Sequence, residues 1–238
     1  MGEAEFVQAR KAEKNYHHKL YNEHDILEPG TWMSKPEPVV MELLEQMIHD
    51  RAKASVLDLG CGAGRHAIPI ALRLKPGGGK LTGVDLLEMA VQKLRENAGK
   101  YGVASVVEAC RADVEHYPIP ESGYDYIVAC GCLEHMASVE AMMGVVERMK
   151  LGTRPGGIHC LSINTQVQEF ESGSGRPVKP LIELNLPTAE AFTLLEQLYA
   201  DWEVLRYETQ LLTIEEEKYE QPTRFRCRSI TFAARKKG

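Results

Sequence analysis

Ala54-Ser-Val-Leu-Asp-Leu-Gly-Cys-Gly-Ala-Gly-Arg-His66 restricts what this chain can become more than any other stretch of it. Ser55 to Leu59 is a short apolar run, long enough for a strand buried on both faces. Gly60, Gly62 and Gly64 follow at every second position, and a helical pattern then opens over Arg65 to Leu74. The glycines therefore occupy the turn from a central strand into a helix. Without Cβ atoms the backbone turns sharply there and a ligand can lie directly against it. The helix start adds unpaired N–H groups and the positive end of its dipole.

Two ligand classes use such a turn. A dinucleotide fold wants its third glycine three places after the second. Arg65 holds that place, and the glycine comes one residue early. Asp58 lies two residues before the first glycine, where a carboxylate repels a pyrophosphate and suits a ligand bearing an ammonium group. Asp58-Leu-Gly-Cys-Gly-Ala-Gly64 resembles the first motif of the class I S-adenosylmethionine-dependent methyltransferases.

The rest of the chain repeats the strand-then-helix alternation. Pro36 to Ile48 is amphipathic at helical spacing, with prolines in its first turn, and is expected to pack against the sheet. Lys80 to Leu86 reads as a second strand ending in an acid, and Glu88 to Tyr101 as a helix. Val106 to Cys110, Tyr124 to Cys130 and Pro155 to Ile163 read as further strands, with a helix over Val139 to Lys150. Such alternation argues for a parallel α/β sheet. Gln166 to Pro187 has no clear periodicity and reads as an irregular substrate loop. Thr188 is placed to cap a helix over Ala189 to Ala200. Trp202 to Leu212 and Arg228 to Ala234 alternate as an antiparallel edge hairpin. Residues 1–35 are polar and precede the first core strand, so they read as an arm or lid, leaving 36–238 as the methyltransferase-like domain.

The resemblance extends from about residue 36 to the end, and the C-terminal third is loosely similar to the tellurite-resistance branch. It implies a Rossmann-like, mostly parallel seven-stranded sheet with an antiparallel edge hairpin and an N-terminal helical cap. It further implies S-adenosyl-L-methionine as cofactor. Asp58 would take the methionine ammonium, and Gly60, Cys61 and Gly62 the adjoining backbone. Asp85, at the end of the second strand, would accept the ribose hydroxyls, with Leu86 against the adenine. Asp113 would accept from the adenine amino group beside the Val114 N–H. Main-chain carbonyls of Ala129 and Cys130 would meet the amino-acid portion. Trp32, with Tyr16 and Tyr21, would cover the sulfonium, or else simply pack an N-terminal helix.

Cys130-Gly-Cys132-Leu-Glu-His135 invites a metal reading, but C-x-C is not the usual zinc spacing and no second pair lies nearby, so no metal is expected. His135 is the best general-base candidate, because an ordinary histidine changes charge near neutral pH. Transfer from a sulfonium is a direct displacement governed by alignment, which leaves a purely structural role open for it. The net charge of −6 and the absence of a basic stripe argue for a small-molecule acceptor and against nucleic acid. No run approaches the roughly 18 to 20 apolar residues of a membrane span. Scattered cysteines and an N-terminus without signal-peptide layout make a cytoplasmic protein the expectation. The expected activity is methyl transfer to a thiol, oxyanion or hydroxyl. A non-catalytic cofactor-binding module and a nicotinamide oxidoreductase are the rivals, and the sequence carries no signal for oligomeric state.

Overall fold

In the computed structural model, which describes residues 2–216 and 222–238, the apolar runs become strands β1 (Ser55–Leu59), β2 (Lys80–Asp85), β3 (Val107–Arg111) and β4 (Tyr124–Cys130). Val56, Leu57, Ile127 and Val128 have no exposed surface, because helices cover both faces of this part of the sheet. One layer packs α2 (Pro38–Asp50), α3 (Ala67–Leu74) and α4 (Glu88–Lys100) through Leu44, Ile68 and Leu94. The other packs α5 (Val139–Gly152) and α6 (Thr188–Leu198) through Val145, Met149 and Leu195.

The strand order is β3-β2-β1-β4-β5-β8-β7, where β5 is Thr153–Glu171, β7 is Glu203–Glu216 and β8 is Thr223–Arg235. β1 to β5 are joined by parallel pairings, and β8 and β7 run antiparallel at the edge. This is the mostly parallel, Rossmann-like sheet with an edge hairpin. A two-residue strand, β6 (Pro177–Val178), folds back onto β5 and adds an eighth member.

Three local expectations give way. The stretch read as a loop from Gln166 begins instead as the far end of β5, which runs on to Glu171. Gln166 adopts φ +50° and the pairing with β8 slips between Thr165 and Gln168, so a bulge breaks the alternation that announces a strand. The edge hairpin is longer at both strands than its apolar pattern. Thr188 is the first residue of α6 rather than its cap, and its hydroxyl bonds Thr165 and Gln166 instead.

Helix α1 (Glu3–Glu23) lies across the carboxyl ends of the strands. Among its residues Ala9 and Tyr21 are buried, a small apolar anchor for so long a helix. Ionic contacts supply the rest: Arg10 with Glu183, Glu13 with His135, and Lys179 with Glu5. At the other end of the sheet, buried Asp125 accepts from the Ser55 N–H at 2.8 Å, from Arg154 Nη1 at 2.7 Å and from Arg51. All six cysteines are free thiols, and among the described residues no helix is long and apolar enough to cross a membrane.

Candidate functional site

The turn after β1 is stitched to the end of β2. Gly60 and Cys61 donate to the Val84 carbonyl at 2.8 and 3.1 Å, and Gly62 donates to Asp85 Oδ2 at 2.9 Å. Asn97 on α4 holds the turn from behind through the Ala63 carbonyl at 2.9 Å. Gly60 and Gly62 sit at φ +71° and +52°, and a Cβ on either would stand 2.8 Å from Cys132 Cβ or 2.7 Å from the Tyr21 hydroxyl. Glycine suits both backbone angles, and at Gly60 the Cys132 Cβ leaves no room for a side chain.

A cavity of about 1120 Å³ opens beside this turn, at the carboxyl ends of β1 to β4. Gly60, Cys61 and Gly62 line it after β1, Asp85 and Leu86 after β2, and Asp113 and Val114 after β3. Cys130, His135 and Trp32 complete the expected set at its wall. Asp58 and Ala129 lie behind that surface, the one 1% exposed and the other wholly buried.

Asp85 is held by two main-chain donors, Gly62 N–H on Oδ2 and Leu87 N–H on Oδ1 at 2.8 Å. Burial raises its pKa, and those same hydrogen bonds oppose the rise. A carboxylate offers about four lone-pair positions, so Asp85 keeps acceptor capacity facing the cavity. Asp58 Oδ2 has no hydrogen-bond partner. Desolvation pushes its pKa to about 7, against the pull of Arg65 and with a further push from Asp85. Asp113 Oδ1 accepts from the Glu115 N–H at 2.9 Å, closing a turn while its residue lines the cavity. Two constrained glycines, an acid fixed at the end of β2 and an orphaned buried carboxylate oxygen fit a nucleoside ligand that ends in an ammonium group.

His135 sits among carboxylates. Its Nδ1 is 2.8 Å from Glu183 Oε2 and its Nε2 is 3.8 Å from Glu13 Oε1, while Arg10 donates to its carbonyl at 2.8 Å. Burial disfavours the imidazolium, but Glu13, Glu183 and Glu134 outweigh it and carry the pKa up to about 9. At neutral pH this histidine is already protonated, the opposite of what a general base needs. Glu134 is itself buried, with Oε1 accepting from the Asn164 N–H at 3.1 Å.

Trp32 already has a cation on its ring: the Arg65 guanidinium stands 5.1 Å from the ring centroid. Its Nε1 donates to the Tyr16 hydroxyl at 3.0 Å, and Arg65 also pairs with Glu37 at 2.9 Å. Glu37, His66 and Cys130 bring their ligand atoms within 4.8 Å of one another. This grouping differs from the Cys130, Cys132 and His135 set that the sequence brings to mind. Burial drives the His66 pKa well below 6.5, so that ring is neutral. Sequence reading passed over Glu134, Glu183, Glu37 and His66. Glu134 and His66 adjoin residues of the motifs and were open to notice; Glu37 and Glu183 carry no local signal.

Residues 56–157 match the family model described as a methyltransferase domain. A carboxy-S-adenosyl-L-methionine synthase from Chromohalobacter salexigens is 33% identical over 114 residues, 48% of this chain and 41% of that protein. A tRNA N(3)-methylcytidine methyltransferase from Schizosaccharomyces pombe is 27% identical over 140 residues, 58% of this chain and 44% of that protein. The chain thus spans less than half the length of these curated relatives. The crystal structure of TehB from Haemophilus influenzae superposes with a TM-score of 0.62 at 24% identity, over 94% of this chain and 67% of that one, a likeness of fold. Residues 56–157, which hold the glycine turn and the strand-end acids, are thus similar to methyltransferase domains, in a fold shared with the TehB structure.

Proposed function

We propose that the protein binds S-adenosyl-L-methionine in this cavity and transfers its methyl group to a small-molecule nucleophile. The observation that carries the reading is Asp85. Its carboxylate is fixed by Gly62 and Leu87 at the end of β2, beside the glycine turn of β1 and one strand from the crossover where the sheet order reverses. In that geometry Asp85 accepts the ribose hydroxyls, Leu86 lies against the adenine, and Asp113 with the Val114 N–H reads the adenine edge. Asp58 answers the ammonium from behind the glycines, and the carbonyls of Ala129 and Cys130 border the amino-acid end. The bound cofactor supplies a methyl group on a sulfonium, electrophilic enough for direct displacement. The chain's contribution is alignment of the acceptor and exclusion of water. His135, protonated and clamped to Glu183, serves as a fixed cation beside the acceptor and takes no proton from it.

An acceptor of small size is supported by the position of α1 across the cavity and by the net charge of −6, which disfavours a polyanionic partner. A second reading has support too. The 33% identical relative is named for making a derivative of the cofactor, so chemistry on the cofactor itself is the alternative.

The deciding experiment is calorimetric titration with S-adenosylhomocysteine, with NADH as control. The expected result is a micromolar constant, about −8 kcal/mol, weakened tenfold or more in Asp85→Ala. Incubation with S-adenosylmethionine and a panel of thiols, oxyanions and phenols then separates the two readings by mass spectrometry. A methylated acceptor supports transfer, and a modified cofactor supports the alternative. Binding of NADH in place of S-adenosylhomocysteine would overturn both.

A further inference from the structure

We propose that Glu37, His66 and Cys130 form a binding site for a zinc-class divalent metal ion, whose open coordination position takes a thiol acceptor. The acceptor class rests on the methyltransferase reading; the metal site does not.

The three residues converge from separate parts of the fold: Glu37 just before α2, His66 just before α3 and Cys130 at the end of β4. Their ligand atoms, one oxygen, one nitrogen and one sulfur, lie within 4.8 Å of one another. Tetrahedral zinc with bonds of about 2.0 to 2.3 Å keeps neighbouring ligand atoms roughly 3.3 to 3.8 Å apart. Closing that gap takes about an ångström, which the half-buried side chain of Glu37 can travel. His66 provides an independent sign of a missing partner. The residue is 6% exposed, and its Nε2 is buried with no hydrogen bond. An orphaned ring nitrogen at that depth is costly unless something occupies it.

All three residues line the cavity, so three protein ligands would leave a fourth position open to it, the arrangement of a catalytic rather than a structural zinc site. Charge then selects the fourth ligand. The Glu37 carboxylate and the Cys130 thiolate balance the divalent ion, and Arg65, paired with Glu37 at 2.9 Å, leaves one positive charge over. An anionic thiolate neutralises it. Arg65 meanwhile orients the carboxylate, as outer hydrogen bonds do for metal ligands.

Coordination also resolves how the acceptor is activated when His135 is already a cation. A thiol bound to the metal releases its proton to solvent and remains a thiolate at neutral pH. Its sulfur lone pair forms the new S–CH3 bond. The bond from methyl to the sulfonium breaks, and its electron pair returns to the departing sulfur. No side chain accepts a proton, and nothing is oxidised or reduced. The neutral thioether product is a weaker ligand than the thiolate and leaves.

The test uses the full chain stripped of metal and titrated with cobalt(II) chloride, followed by absorption. The expected result is one equivalent bound with a thiolate-to-cobalt charge-transfer band, which is lost in Cys130→Ser and retained in Cys132→Ser. His66→Gln and Glu37→Gln weaken cobalt binding, while circular dichroism and S-adenosylhomocysteine binding report whether each variant is folded. Addition of 2-mercaptoethanol intensifies the band as a second sulfur enters. A band that persists in Cys130→Ser, or no stoichiometric cobalt on protein that binds S-adenosylhomocysteine, overturns the metal site. A normal band that 2-mercaptoethanol leaves unchanged overturns the thiol acceptor. Failure to bind S-adenosylhomocysteine with the cobalt band intact would instead remove the methyltransferase reading and leave the metal site standing.

Discussion

At the scale of single residues, burial favours the neutral form of Asp58, whereas a cationic ligand beside it would favour its anion. Without ligand its pKa is raised to about 7 by desolvation, with Arg65 opposing and Asp85 adding to the rise. An ammonium placed beside it lowers that pKa, so binding below neutrality expels a proton. The affinity for S-adenosylhomocysteine is therefore expected to climb severalfold from about pH 6 to pH 8 and then level off. Titrations in buffers of different ionisation enthalpy count the released proton, and Asp58→Asn should abolish the dependence. Asp58 and Asp85 were legible in the sequence because a seven-residue string and a strand end mark them. Glu183 was not. Its partners Arg10 and His135 are far away in the chain, and a lone glutamate in an unpatterned stretch gives no hint that it will be buried against them.

Among the elements, α1 depends most on charge. His135 holds its proton up to about pH 9 in the folded protein, because Glu13, Glu183 and Glu134 outweigh the cost of burying the imidazolium. The unfolded chain releases that proton near 6.5. This contribution to stability is complete below pH 6.5 and is lost as pH rises through about 9, at most about 3 kcal/mol. Glu183→Gln should lower the melting temperature at pH 7, flatten its decline towards pH 9 and speed proteolysis within α1. Melting curves at stepped pH, with limited proteolysis, check all three. The element order was readable from alternating strand and helix patterns, and the apolar runs placed the sheet. The distal half of β5 was not, since the bulge at Gln166 shifts which face each side chain meets. The edge hairpin itself was legible, but the far end of β7 past Leu212 was not, because charged, exposed residues such as Glu215 carry no apolar alternation.

For the molecule as a whole, the sheet separates its tasks between its two ends. The carboxyl ends gather the glycines, acids and histidines, and the amino ends hold Asp125 between Arg51, Arg154 and the start of β1. Removing the charge of a buried partner in such a cluster costs about 3 to 5 kcal/mol. In a chain of this size that lowers the melting temperature by about 6 to 20 °C. Asp125→Asn should show this loss by calorimetry while leaving S-adenosylhomocysteine affinity unchanged. The Tyr21 hydroxyl, which stands where a Cβ on Gly62 would point, has a consequence in time. A ligand that settles on that glycine is expected to displace the Tyr21 ring first. In stopped-flow mixing, the observed association rate should rise with ligand concentration and then reach a plateau set by that displacement, and Tyr21→Ala should raise that ceiling.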